Sequence, residues 1–131
     1  MGPSSLRVVV ADDDASVRAV IRRALREEPD LELAGTARDG AEAWRTALDL
    51  SPDVLVLDDN MPAAGGLHVL ARLRLERPDI KIVMYVTDAA TCAGASALGA
   101  AGCVAKSESI ETLVSAIRAA GSMAADSQRR V

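Results

Sequence analysis

The chain is 131 residues long, the size of one domain, so a single core must serve everything it does. Aromatic residues are 2% of it (Trp44, Tyr85 and no Phe), which excludes stacking platforms for single-stranded nucleic acid, and a net charge of −4 has the wrong sign for gripping phosphate backbones. The longest apolar runs, Val8 to Ala11, Val54 to Leu57 and Ile82 to Val86, are too short to span a membrane. With no signal-peptide pattern in front of them, the expected location is the cytoplasm. Cys92 and Cys103 lack CxxC spacing and are expected as reduced core fillers.

Leu6 to Ala11 (LRVVVA) is predicted as the first strand. Ala15 to Arg26 follows as a helix, with Val17, Val20, Ile21, Ala24 and Leu25 on one apolar stripe. Leu31 to Ala37 alternates and suits an edge strand; a helix from Ala41 to Leu50 comes next. Val54 to Leu57 is apolar on both faces and belongs at the centre of a sheet. A helix from Leu67 to Arg77, a strand from Ile80 to Val86, and an Ala-rich helix from Ala89 to Leu98 interrupted by Gly94 continue the alternation. Gly102 to Ala105 is a fifth strand, and Ile110, Leu113, Val114 and Ile117 mark the last helix, with Ser109 as its cap. Five strands alternating with five helices predict an α/β fold around a parallel, doubly wound sheet. Residues 6–120 are expected to form the domain. Residues 121–131 show no apolar period and read as a C-terminal tail or linker stub.

Charged residues gather at strand ends. Asp12, Asp13 and Asp14 follow the first strand, Asp58 and Asp59 the third, Thr87 and Asp88 the fourth, and Lys106 the fifth. In an open parallel sheet these ends share one edge, where such folds bind ligands. Crowded carboxylates repel unless a cation compensates, and a hard divalent ion such as Mg²⁺ fits oxygen ligands and a phosphate-handling reaction. A carboxylate can itself be the nucleophile. Asp14, directly before Ala15, reads as a helix cap.

Val8-Val9-Val10-Ala11-Asp12-Asp13, then Asp53-Val54-Leu55-Val56-Leu57-Asp58-Asp59-Asn60-Met61-Pro62 with Gly66 beyond, and Gly99-Ala100-Ala101-Gly102 leading to Lys106 resemble the receiver domain of bacterial two-component response regulators. The resemblance covers residues 6–120 and implies the flavodoxin-like (βα)5 strand order 2-1-3-4-5. It further implies that Asp58 accepts a phosphoryl group from a histidine kinase. Mg²⁺ would be bound by Asp13, Asp58 and the carbonyl of Asn60, with Asp12 acting through water. Lys106 would pair with Asp58 and then with the phosphoryl group, and Thr87 would swing its hydroxyl toward that group. On this reading the chain is a signalling switch, not an enzyme, beyond its own phosphotransfer and dephosphorylation. Its output is expected to be transcription.

The run from Ile117 to Gly121 resembles the end of receivers in NarL-type regulators, so DNA would be reached only through a C-terminal domain absent here. The chain is then either a cut receiver or a stand-alone one, with a second copy as a further partner through the fourth or fifth helix. Asp88 and Asp59 put extra negative charge at the switch, Cys103 replaces an aromatic, and the fourth helix is short by about one turn of ~3.6 residues. These departures predict slow phosphorylation, or a degenerate receiver acting as a phosphorylation-independent interaction module. A phosphohydrolase with external substrates is the third reading, opposed by Asn60 standing where a general-acid aspartate would be needed.

Overall fold

The computed structural model describes the backbone of residues 5–129, and the side chains of the last helix through Met123. In chain order it contains β1 (Leu6–Ala11), α1 (Ala15–Arg26), β2 (Leu31–Ala37), α2 (Gly40–Leu50), β3 (Val54–Asp58), α3 (Gly66–Glu76), β4 (Lys81–Val86), α4 (Thr91–Ala97), β5 (Gly102–Ala105) and α5 (Ile110–Arg129). The strands form one parallel sheet in the order β2-β1-β3-β4-β5. The α/β class, the edge position of β2 and the central position of β3 are as expected.

Side-chain alternation along the strands divides the core into two layers. Val8, Val10, Val54, Val56, Val83 and Tyr85 face α1 and α5, meeting Ile21, Leu25, Leu113 and Ile117. Val9, Ala11, Leu55, Leu57, Ile82 and Met84 face α2, α3 and α4, meeting Ala43, Ala47, Leu70, Leu73 and Ala95. One register shift, between Val8 and Val9, pairs Leu33 with Val8 but Gly35 with Val9. This bulge places Leu31 and Ala37 in opposite layers although an even number of positions separates them, a switch that alternation alone does not predict.

Local chemistry sets the helix starts. Asp14 accepts from the Ser16 N–H at 2.8 Å, Asp39 from the Glu42 N–H at 2.8 Å, and Ser109 from the Thr112 N–H at 3.3 Å, so the cap roles of Asp14 and Ser109 are those expected.

One sequence expectation needs correction here, the reduced state of Cys92 and Cys103. The residues read as a C-terminal tail or linker stub continue the last helix, α5 running through Arg129 without a break at Gly121. The inward positions at that point are Ala120 and Gly121, small residues that register as no apolar period. Gly121 lies against Leu6, where any added Cβ would collide with the Leu6 side chain. Residues 130 and 131, also assigned to the tail, lie outside the described residues. Cys92 and Cys103 are joined in a disulfide, with their Cα atoms 5.6 Å apart. Their separation of 11 residues carries no motif; the packing of α4 against β5 brings them together.

Candidate functional site

Because β1, β3, β4 and β5 are parallel, their carboxyl ends open onto one rim. Asp12 directly follows β1, Asp58 closes β3, and Lys106 directly follows β5. Lys106 Nζ lies 2.9 Å from Asp12 Oδ2 and 3.1 Å from Asp58 Oδ1. Asp12 and Asp58 are 1% and 2% exposed, whereas Asp13 faces solvent. Carboxylate oxygens of Asp12, Asp13 and Asp58 lie within 4.8 Å of one another, close enough to share one cation. Asp12 Oδ2 has no donor aligned on it in hydrogen-bond geometry, only the Lys106 ammonium as an ion pair.

The backbone holds this arrangement. Asp12 Oδ1 accepts from the Asp14 N–H at 2.9 Å, and Arg18 donates to the Asp12 carbonyl at 2.7 Å. The Asn60 N–H donates to Asp58 Oδ1 at 3.3 Å, while among the described residues no donor reaches Asp58 Oδ2. Gly66 begins α3 against the Asp58 carbonyl, so closely that a Cβ there would overlap it. Lys106 is fixed at its main chain, its N–H donating to the Val86 carbonyl at 2.7 Å.

Burial, and then the nearby charge of Asp12, push the Asp58 carboxyl up to about 6, against the opposing pull of Lys106 and the Asn60 N–H. Burial works against the Lys106 ammonium too, but its close pairing with the Asp12 and Asp58 carboxylates outweighs that and raises its titration above the ordinary lysine range. Three carboxylates against one ammonium leave the cluster net negative. All-oxygen donors and a buried oxygen without an aligned donor fit a small divalent cation such as Mg²⁺.

The structure therefore brings Asp12, Asp13, Asp58 and Lys106 together, with Asn60 one hydrogen bond away. Thr87 stands apart. It is exposed, and its N–H points to Asp59 Oδ1 at 3.5 Å. Asp59, beside the phosphoacceptor candidate, neither faces open solvent nor sits unpaired: Thr91 donates its hydroxyl to Asp59 Oδ2 at 3.4 Å. Thr91 escaped sequence reading because nothing in its neighbourhood marks it as the partner of a residue 32 positions earlier. Asp88 caps the turn before α4, accepting from the Ala90 N–H at 2.9 Å. Trp44 packs against the core and joins α2 to α3: it donates to Glu76 at 2.6 Å beneath the guanidinium of Arg72.

A doubly wound parallel sheet with an acidic, lysine-bridged pocket at its carboxyl rim defines a class of phosphate-handling switch domains. Residues 8–118 match the response regulator receiver domain, and the chain belongs to that family. It is 39% identical over 113 residues to a protein-glutamate methylesterase/protein-glutamine glutaminase of Carboxydothermus hydrogenoformans, covering 84% of this chain and 32% of that protein. It is 32% identical over 114 residues to the transcriptional regulatory protein LnrK of Bacillus subtilis, covering 86% of this chain and 52% of that protein. Among solved structures, the signal receiver domain of the response regulator NarL from Mycobacterium tuberculosis superposes with a TM-score of 0.86 at 30% identity, covering 92% of this chain and 98% of that one.

The chain thus spans between a third and about half the length of these curated relatives. The first of them overturns the expectation that the chain is not an enzyme, because receiver sequence this similar forms part of a methylesterase/glutaminase. The physical reason is modular: a receiver's own pocket handles phosphate whatever is attached, and the attached chemistry leaves no mark on the pocket residues. Among the described residues no helix is long and apolar enough to cross a membrane.

Proposed function

We propose that this receiver accepts a phosphoryl group on Asp58 from a histidine kinase in the cytoplasm, and that the resulting change around α4 and β5 regulates an output. The convergence of Asp12, Asp13, Asp58 and Lys106 on one rim supports this reading. Asp58 Oδ1 is held by Lys106 and the Asn60 N–H, which leaves Oδ2 as the nucleophile. Oδ2 forms the O–P bond as the donor's N–P bond breaks, and the imidazole leaves. With its carboxyl at about 6, Asp58 is mostly ionised near neutrality. Asp13, Asp58 and the main-chain carbonyl of Asn60 would hold Mg²⁺, with Asp12 acting through water; bound there, the ion neutralises charge on the transferring group. Lys106 then releases Asp58 and pairs with a phosphoryl oxygen. Thr87 rotates its hydroxyl toward another oxygen and draws the β4–α4 turn with it.

Residues 6–120 form the receiver on this reading, and the helical extension after them leads to whatever part it controls. Regulation of transcription is the output favoured by the likeness to the Bacillus regulator. Control of an attached esterase is the second reading, favoured by the likeness to the methylesterase. A second copy docking through α4 or α5 would serve either.

Incubation of the protein with Mg²⁺ and acetyl phosphate, followed by intact-mass spectrometry, tests the acceptor. Wild type should gain one phosphoryl group and Asp58→Ala none. An unlabelled wild type would instead identify a phosphorylation-independent interaction module.

A further inference from the structure

The disulfide lies where the proposed signal would have to pass. Cys92 is the second residue of α4, immediately after Thr91, whose hydroxyl is bound to Asp59. Cys103 is in β5, three residues before Lys106. The bond therefore links the element attached to the neighbour of Asp58 with the strand that leads directly to the lysine bridging Asp58 and Asp12. Little else fastens α4. It has seven residues, no side-chain cap at its start, a glycine in its middle, and Ala95 as its one buried side chain. A helix so short is marginal without a tertiary anchor. Both cysteines are half-buried at the edge of the core, not enclosed within it.

We propose that Cys92 and Cys103 form a reversible redox modification site that takes a low-molecular-weight disulfide as oxidant and sets how readily the receiver pocket switches. The inference rests on the phosphoacceptor reading above for its consequence, though not for the chemistry of the site. One cysteine thiolate attacks the small disulfide and releases one thiol. The other then displaces the second thiol, so that one S–S bond forms in the protein, one breaks in the oxidant, and two protons pass to the released thiolates. A protein working in a reducing compartment keeps such a bond only transiently, which makes it a sensor rather than a staple. In the oxidised form α4 is tied to β5, and Thr91 is kept at Asp59, so the turn carrying Thr87 is held away from Asp58. Reduction frees α4 and lets that turn move.

The test compares the protein equilibrated with excess oxidised glutathione and with dithiothreitol. N-ethylmaleimide should add twice to the reduced form and not at all to the oxidised one. Amide hydrogens of residues 91–103 should exchange at least about tenfold faster after reduction. Labelling by acetyl phosphate with Mg²⁺ should be roughly fivefold faster in the reduced form, and Cys92→Ser should match the reduced rate in either buffer. Equal amide exchange in the two forms would overturn the clamp, and so would labelling of both forms at the same rate. If neither form is labelled while exchange still differs, the phosphoacceptor reading fails and the redox control of α4 stands. Chemical reduction of wild type gives the same contrast without relying on the variant's folding.

Discussion

Asp58 and Asp12 are buried beside each other and share one ammonium, which sets the pH behaviour of the pocket. Because burial and Asp12 raise the Asp58 carboxyl from 3.8 to about 6, its contribution to stability is complete below pH 3.8 and is lost as pH rises through about 6. In metal-free buffer Asp58→Asn should therefore be more stable than wild type above pH 6, by up to about 3 kcal/mol, with the difference vanishing near pH 4; urea denaturation at several pH values checks this. On the proposed reading Mg²⁺ would compete with that proton, so its apparent affinity should fall as pH drops through about 6, with proton release on binding measurable by calorimetry in buffers of different ionisation enthalpy. Lys106→Met removes the bridging charge and leaves two buried carboxylates facing each other. The cost should be roughly 3 kcal/mol at pH 8 and distinctly less at pH 5, where Asp58 takes up a proton. At this scale the sequence was informative for Asp12, Asp13, Asp58 and Lys106, because a residue that ends a strand has its position set by that strand. Asp59 and Thr91 were not legible as a pair, since their contact depends on how the β4–α4 turn folds back.

Among the elements, α4 and the end of α5 depart most from their sequence patterns. α4, and α5 at Ala120 and Gly121, face inward with Ala and Gly, which carry too little apolar surface to register as a strong stripe. Tertiary contact decides them instead. Closing the short loop between Cys92 and Cys103 should be worth roughly 3 kcal/mol, so dithiothreitol should lower the urea midpoint of wild type and leave that of the Cys92→Ser, Cys103→Ser double variant unmoved. At the other end of the sheet, Gly121→Ala drives a methyl group into the tip of Leu6, and the helix propensity gained, about 1 kcal/mol, offsets part of that clash, so the net cost should be no more than about 1 kcal/mol. Combining it with Leu6→Ala should recover part of that loss, a coupling that a double-mutant cycle reads directly. Elements with bulky inward residues, α1 and β3 among them, were readable from spacing alone because their burial requires it.

For the whole molecule, the parallel sheet matters most: it turns residues remote in sequence into neighbours on one rim. If the acidic pocket binds Mg²⁺ in the folded state only, the ion at a hundredfold excess over its Kd should raise global stability by about 2.7 kcal/mol, and Asp13→Ala should abolish most of the gain in a thermal melt. Arg118 on α5 also bridges to Glu28 and Asp30 beyond α1, joining the first and last helices on the face opposite α4. The amino-acid sequence by itself determined the alternation of strands and helices, the class of fold, and which carboxylates and lysine stand at strand ends, because periodicity and strand termini are local properties of the chain. Only the tertiary structure decided the disulfide, the grip of Asp59 on α4, the bulge in β2 and the unbroken α5. Each depends on which element lies beside which, and short-range patterns of small or polar residues do not encode that.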